Sequence, residues 1–252
     1  MKEILEKIAD EAAVMVLRIY NSSFDVNYKM DHSPITEADS LASDFIIKSI
    51  SSIFPDIPII SEESPIPLFN DRQNWTSCWL IDPIDGTKEF INRNDEFTIN
   101  IAKIESNRVV AGIVYAPALD TMFYGDNKIG SYKREKGTWR KISCSPNYLK
   151  RSEVIVAVSR SHNSYKVNAF LKRLIKEGKI VKEMAVGSSL KLCLVAEGLA
   201  DVYPRFGDTM EWDIAAGHAV LKFSGKNVYD INSKEELIYN KATLLNPHFI
   251  AE

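Results

Sequence analysis

The residues best suited to chemistry are acidic and clustered. Asp82-Pro83-Ile84-Asp85-Gly86-Thr87 closes an apolar segment with two carboxylates three residues apart. Pro83 stops strand pairing and Gly86 permits a tight turn, so both carboxylates and the intervening Ile84 carbonyl can converge on one point. That all-oxygen set suits Mg²⁺ or Mn²⁺. An isolated pair of this kind more often only caps and shapes a turn. Two further acidic segments change the balance. Ser61-Glu62-Glu63-Ser64 follows a separate apolar segment, and Glu211-Trp212-Asp213-Ile214-Ala215-Ala216-Gly217-His218 puts Asp213 at a helix start. A solvated turn would account for the first and an N-cap for the second. Four ionised carboxylates gathered together would repel strongly, and cations would make the arrangement tolerable.

Regular elements have to hold these groups. Ile4, Leu5, Ile8, Ala12, Met15, Val16 and Ile19 recur at three- and four-residue steps, predicting an amphipathic helix over 1–20. A second helix starts at Thr36, a capping residue with Asp39 three positions on, and carries Leu41, Ala42, Phe45, Ile46, Ile50 and Ile53 as its apolar stripe. Short strands are expected at 57–60, 78–82, 98–104, 109–115, 121–124, 129–133 and 139–142, spaced as an antiparallel meander. Beyond residue 150 the pattern alternates: strand 153–158, helix 164–177, strand 180–183, helix 188–197, strand 201–203 and helix 213–223. The expected architecture is α/β in two subdomains with a cleft between them. Residues 1–147 form a helix-plus-antiparallel-sheet unit with most of the acidic groups, and 148–252 an α/β unit with the last one.

Composition narrows the function. The 252 residues are 45% hydrophobic and 26% charged, which excludes disorder and collagen-like structure. A net charge of −3 gives no basic field for nucleic acid, and Lys133-Arg134-Glu135-Lys136 is a short basic cluster broken by an acid. Cys78, Cys144 and Cys193 are widely spaced and odd in number, which fits a reducing cytoplasm. Acids near the N-terminus argue against a signal peptide, and no apolar run approaches the length of a membrane span.

The combined motifs, Ser61-Glu62-Glu63, Asp82-Pro83-Ile84-Asp85-Gly86-Thr87 and Trp212-Asp213-Ile214-Ala215-Ala216-Gly217, resemble the Mg²⁺-dependent, lithium-sensitive phosphatase superfamily that includes inositol monophosphatase and fructose bisphosphatase. The resemblance runs essentially end to end. It is closest to the CysQ-type 3′(2′),5′-bisphosphate nucleotidases, through Lys88-Glu89-Phe90, Ser159-Arg160-Ser161-His162, Gly187-Ser188-Ser189-Leu190-Lys191 and Asp201-Val202-Tyr203-Pro204-Arg205-Phe206-Gly207. Inositol monophosphatases usually carry Thr-Asn-Phe where this chain has Lys88-Glu89-Phe90. Ser224-Gly225-Lys226 departs from the Gly pair frequent in relatives, outside the acidic motifs.

The resemblance implies a layered αβαβα sandwich of the sugar/inositol phosphatase type, with an antiparallel N-terminal and a mixed C-terminal sheet. It implies two or more Mg²⁺ per site, with Mn²⁺ as a substitute. Glu62, Asp82 and the Ile84 carbonyl would bind one ion and Asp82, Asp85 and Asp213 the second. Thr87 and Asp39 would position and deprotonate the attacking water. Such a site suits phosphate monoester hydrolysis, since one ion acidifies water and the pair stabilises the attacking and leaving oxygens. No cysteine, serine or histidine nucleophile is required, and His32, His162, His218 and His248 fall into no metal or triad spacing.

The implied substrate is a small nucleoside bisphosphate, 3′-phosphoadenosine 5′-phosphate, with the 5′-phosphosulfate analogue beside it. Its contacts would be Glu62, Ile84, Asp85, Gly86, Thr87, His162, Ser188, Lys191, Arg205 and Asp213. The second phosphate calls for donors outside the metal group. Ser188 and Lys191 lie three apart at an expected helix start, whose backbone N–H groups also favour anions. Inositol monophosphatase or fructose-bisphosphatase activity is one alternative, and a non-catalytic metal- or nucleotide-binding protein another. A haloacid-dehalogenase-type phosphatase needs carboxylates two apart, whereas here they are three apart around a proline. The chain is expected to be cytoplasmic, with peripheral association at the inner membrane left open, and to be a monomer or homodimer.

Overall fold

The computed structural model describes residues 1–28, 34–160 and 164–252. The chain begins with α1 (Lys2–Tyr20), the antiparallel pair β1 (Val26–Tyr28) and β2 (Pro34–Thr36), and α2 (Glu37–Ile53). β3 (Ile59–Ser61), α3 (Phe69–Arg72), β4 (Ser77–Asp85) and α4 (Thr87–Ile91) follow. Five strands then run in succession: β5 (Thr98–Glu105), β6 (Arg108–Ala116), β7 (Thr121–Asp126), β8 (Gly130–Glu135) and β9 (Thr138–Lys141). The remainder is β10 (Glu153–Ser159), α5 (Tyr165–Lys176), β11 (Ile180–Val186), α6 (Leu190–Ala196), β12 (Tyr203–Arg205), α7 (Glu211–Lys222), β13 (Val228–Asp230) and β14 (Phe249–Ala251).

β3 to β9 form one seven-stranded sheet in sequence order. From β4 onward every pairing is antiparallel, as the spacing predicts. β3 departs from the meander and joins β4 in parallel. The connection over 62–76, which carries α3, is long enough for the crossover that a parallel pair requires. The second half is mixed: β10 and β11 are parallel, and β12-β14-β13 is antiparallel.

Both faces of the large sheet are covered. Trp79, Ile81, Ile99, Ile101 and Ile113 pack against Leu5, Ile8, Val16, Ile46 and Ile50 of α1 and α2. Leu80, Ala102, Val114 and Phe123, on the opposite face, pack against Leu192, Cys193, Ala216 and Ala219 of α6 and α7. The same core reaches Val228, Phe249 and Ala251 of the C-terminal strands. Phe170, Leu171 and Leu174 of α5 close a smaller core over Val154 and Val156. The result is an αβαβα layering. α7 lies very close to the sheet because Gly112 and Gly125 face one another on β6 and β7. A Cβ at Gly112 would stand 2.7 Å from the Ala216 carbonyl oxygen, and one at Gly125 2.7 Å from Val220 Cα.

Cys78, Cys144 and Cys193 form no disulfide. No helix among the described residues is long and apolar enough to cross a membrane.

Candidate active site

β4 brings two carboxylates to one face by breaking its own alternation. In a regular strand residues 82 and 85 would point to opposite faces. Here the register slips between them, so that Asp82 pairs with Asn100 and Asp85 with Thr98. Asn100 and Thr98 are two apart and share a face, so the extra residue of the bulge brings Asp82 and Asp85 to that same face. Pro83 sits inside the bulge, where a missing N–H does little harm. Gly86 then turns the chain at φ 87°, in the left-handed region that favours glycine, and starts α4 at Thr87.

The other carboxylates arrive from separate elements. Glu62 follows β3, and its N–H donates to the Ile81 carbonyl at 3.1 Å, carrying the parallel pairing one residue further. Asp213, in the first turn of α7, accepts the Met210 N–H at 2.9 Å through Oδ2. Ligand oxygens of Glu62, Asp82 and Asp213 all lie within 4.8 Å of one another. Asp85 stands outside this tightest group of three. Its Oδ2 accepts the Ser188 hydroxyl at 2.6 Å and the Ser189 N–H at 2.5 Å. The Ile84 carbonyl accepts the Thr87 hydroxyl at a long 3.5 Å.

The electrostatics are those of a site built for a cation. Burial first, then Glu62, Asp85 and Asp213, hold the Asp82 carboxyl well above the usual carboxylate range. Asp213 is pushed well up by burial and then by Asp85 and Glu62. Asp85 is raised by burial, with the Ser188 hydroxyl, Lys191 and the Ser189 N–H pulling the other way. Asp82 is 1% exposed, and its Oδ2 has no hydrogen-bond partner among the described residues. Such a buried acceptor is costly unless something positive meets it. The donor set therefore fits a hard divalent cation on all counts: oxygen only, several carboxylates and an orphaned acceptor among them.

Glu62, Asp85, Gly86, Thr87, Ser188, Lys191, Arg205 and Asp213 line one cavity of about 280 Å³. Asp82, Asp39 and Ile84 are not among its lining residues. Asp39 is 2% exposed and accepts both the Thr36 N–H at 2.8 Å and the Thr36 hydroxyl at 2.6 Å, so the expected capping contact is present. Ser188 departs from the expected helical start. It precedes α6 in left-handed backbone, φ 54°, because its hydroxyl and the next N–H are both turned onto Asp85. Lys191 is a buried cation, 5% exposed, donating to the Ser188 carbonyl at 2.6 Å and the Val186 carbonyl at 3.3 Å. Burial first, with Arg205 in the same direction and Asp85 opposing, lowers its pKa to about 8. The Arg205 guanidinium donates to the Gly207 and Asp208 carbonyls at 3.2 and 3.0 Å. His162 lies outside the described residues. The sequence assigned no role to Thr98 and Ser189, which adjoin Asp85, or to Asn100, which pairs with Asp82. As alternate polar residues of a strand, Thr98 and Asn100 give no local signal.

The family model described as the inositol monophosphatase family matches residues 1–252. The chain belongs to that family. It is 40% identical over 252 residues to the 3′(2′),5′-bisphosphate nucleotidase CysQ of Salmonella typhimurium, covering 99% of this chain and 98% of that protein. The Buchnera aphidicola protein of the same name is 43% identical over 235 residues, covering 90% of this chain and 84% of the relative. The crystal structure of CysQ from Bacteroides thetaiotaomicron, a bacterial inositol monophosphatase family member, superposes with a TM-score of 0.82 at 36% identity. That match covers 97% of this chain and 94% of the other. The protein is accordingly a phosphatase of the inositol monophosphatase family, a generally metal-dependent group, and its acidic cluster is suited to a metal.

Proposed function

We propose that this phosphatase removes the 3′-phosphate of 3′-phosphoadenosine 5′-phosphate, giving AMP and inorganic phosphate, and that it also accepts the 5′-phosphosulfate analogue. The observation that carries the proposal is the meeting of two charge types in one cavity: Glu62, Asp85 and Asp213 share it with Lys191 and Arg205. Carboxylates suit the cations that neutralise the phosphate being cleaved, and the two basic side chains suit a second phosphate that those cations do not hold. A polyol monophosphate has no such second group. The nucleotidase names of relatives 40% identical over nearly the whole chain support the same substrate.

Glu62, Asp82 and the Ile84 carbonyl would hold one Mg²⁺, and Asp82, Asp85 and Asp213 a second, with Mn²⁺ able to replace either. When bound, the ions acidify water and offset the charge of the transferring phosphoryl group. The protein's own task is placement. Thr87, at the first position of α4, orients the attacking water by its hydroxyl, and the Asp39 carboxylate receives the proton. Lys191, Arg205 and Ser188 fix the nucleotide so that its 3′-oxygen leaves in line.

The test is phosphate release from 3′-phosphoadenosine 5′-phosphate and from inositol-1-phosphate in Mg²⁺, with and without Li⁺. A strong, lithium-sensitive preference for the nucleotide is expected. Preference for the inositol phosphate would discard the nucleotide reading, and release from neither substrate would discard catalysis.

A further inference from the structure

Behind Asp85 runs a chain of hydroxyl groups that none of the acidic motifs contains. Thr98 Oγ1 lies 2.5 Å from Ser188 Oγ and 2.9 Å from Ser189 Oγ. Asn100 Oδ1 accepts from the Ser189 hydroxyl at 2.8 Å and lies 3.3 Å from Thr98 Oγ1. Thr98 and Asn100 are both fully buried. The β4–β5 register that pairs them with Asp85 and Asp82 puts them under the site.

Proton counting gives this chain a direction. A hydroxyl has one proton to donate. Ser188 directs its proton to Asp85 Oδ2, which as a carboxylate oxygen can only accept. The Thr98 proton has two acceptors in reach, Ser188 Oγ at 2.5 Å and Asn100 Oδ1 at 3.3 Å, and the far shorter contact, whose other partner has already given its proton to Asp85, takes it. Thr98 and Ser188 thus donate in series toward the carboxylate, each polarising the next. Both donors to Asp85 fall on Oδ2, and no hydrogen bond reaches Oδ1 among the described residues. Ser188 holds a backbone conformation rare outside glycine, which persists where the surroundings fix it.

We infer that Thr98 is a positioning residue: through Ser188 it fixes the Asp85 carboxylate by Oδ2, so that Oδ1 is presented to a divalent cation in the cavity. The inference rests on Asp85 being a cation ligand, as proposed above. Thr98 touches neither substrate nor cation.

Mn²⁺ binding to the substrate-free protein tests this, measured by calorimetric titration on wild type, Thr98→Val, Thr98→Ser and Asp85→Asn. Thr98→Val keeps the shape and removes the hydroxyl. It is expected to weaken Mn²⁺ binding about tenfold, within the range typical of partners that orient a metal ligand. Thr98→Ser, which returns the hydroxyl, is expected to restore binding to within about twofold of wild type. Wild-type affinity in Thr98→Val together with loss of binding in Asp85→Asn would overturn the role of Thr98 and leave the cation site standing. Weakening that Thr98→Ser fails to reverse would trace the effect to packing and equally overturn it. Unchanged binding in Asp85→Asn would remove the ligand on which the inference depends. Should Thr98→Val not fold, Thr98→Ala removes the same hydroxyl without the second branch, and its Mn²⁺ affinity is read against Thr98→Ser in the same way.

Discussion

Lys191 shows how one residue can tie binding to pH. Its ammonium rests on the Ser188 and Val186 carbonyls, and burial holds its pKa at about 8, below the ordinary 10.5. The charged form therefore prevails below that value and is lost as pH rises through it. If Lys191 meets the second phosphate, KM for 3′-phosphoadenosine 5′-phosphate should climb above pH 8 while kcat changes less. Removing a charged hydrogen-bond donor costs about 1.5–3 kcal/mol, so Lys191→Met should raise KM roughly ten- to hundredfold and abolish the alkaline rise. A pH–KM profile of the variant that keeps the rise would assign it to another group. Lys191 was legible as a site residue only through motif resemblance, since an isolated lysine reads as solvated charge. Asp82 and Asp85 were legible only together with the other acidic segments, since their spacing alone reads as a turn, and what brings them to one face is a bulge within β4. Thr98 and Asn100 were not, because what makes them matter is a cross-strand register displaced by a bulge, and no local pattern encodes it.

Among the elements, α7 connects packing to the site. Its first turn holds Asp213, while its middle rests on the bare Gly112–Gly125 pair of β6 and β7. Adding a methyl at Gly112 would press on the Ala216 carbonyl oxygen and on Ala219 Cβ, 2.7 and 2.8 Å away. Backbone cannot rotate aside as a flexible side chain can, so the helix must lift. Gly112→Ala is expected to cost about 1–3 kcal/mol in denaturant unfolding. It should also weaken Mn²⁺ binding by moving Asp213 away from Glu62 and Asp82. Unchanged stability and affinity would mean that α7 can part from the sheet freely. The elements that periodicity reveals best were the long helices α1 and α2, whose apolar stripes repeat enough to stand out, whereas β5 and β6, buried on both faces, read as apolar runs between turn residues. β13 and β14 are three residues each, too short for any repeat, and exist through their pairing with one another and with β12. The parallel setting of β3 is likewise a property of the crossover and not of the strand's own residues.

At the scale of the whole molecule, the site and the fold oppose one another, and pH sets the balance. Asp82 and Asp213 have carboxyl groups raised above their ordinary value of 3.8 by burial and by their acidic neighbours. For a raised carboxyl the folded state holds the proton more tightly than the unfolded chain. The stability it contributes is full below 3.8 and is lost as pH rises through the folded-state value. His218 acts at the other end. It is fully buried between the Tyr239 hydroxyl and Asn227, and burial lowers its pKa from 6.5 to about 4. Its contribution is present above 6.5 and is lost as pH falls toward 4. Without a divalent cation, Tm should therefore decline toward acid because of His218 and toward alkali because of the carboxylates. If these carboxylates hold a divalent cation as proposed above, it binds their ionised forms, so the stabilising shift given by saturating Mg²⁺ should grow with pH. Asp82→Asn removes the most enclosed of the repelling charges. In chelator at pH 8 this variant should be more stable than wild type by about 1–3 kcal/mol, the usual cost of a buried unsatisfied polar group, while losing both its Mg²⁺ shift and its phosphatase activity. Calorimetric scans of the two proteins across a series of pH values, in chelator and in Mg²⁺, measure all three effects. A wild-type Mg²⁺ shift that stays constant with pH, or a variant less stable than wild type in chelator, would mean that the carboxylates do not strain the fold. The destabilisation they cause would then be dropped as a reason for a cation to be taken up at this site.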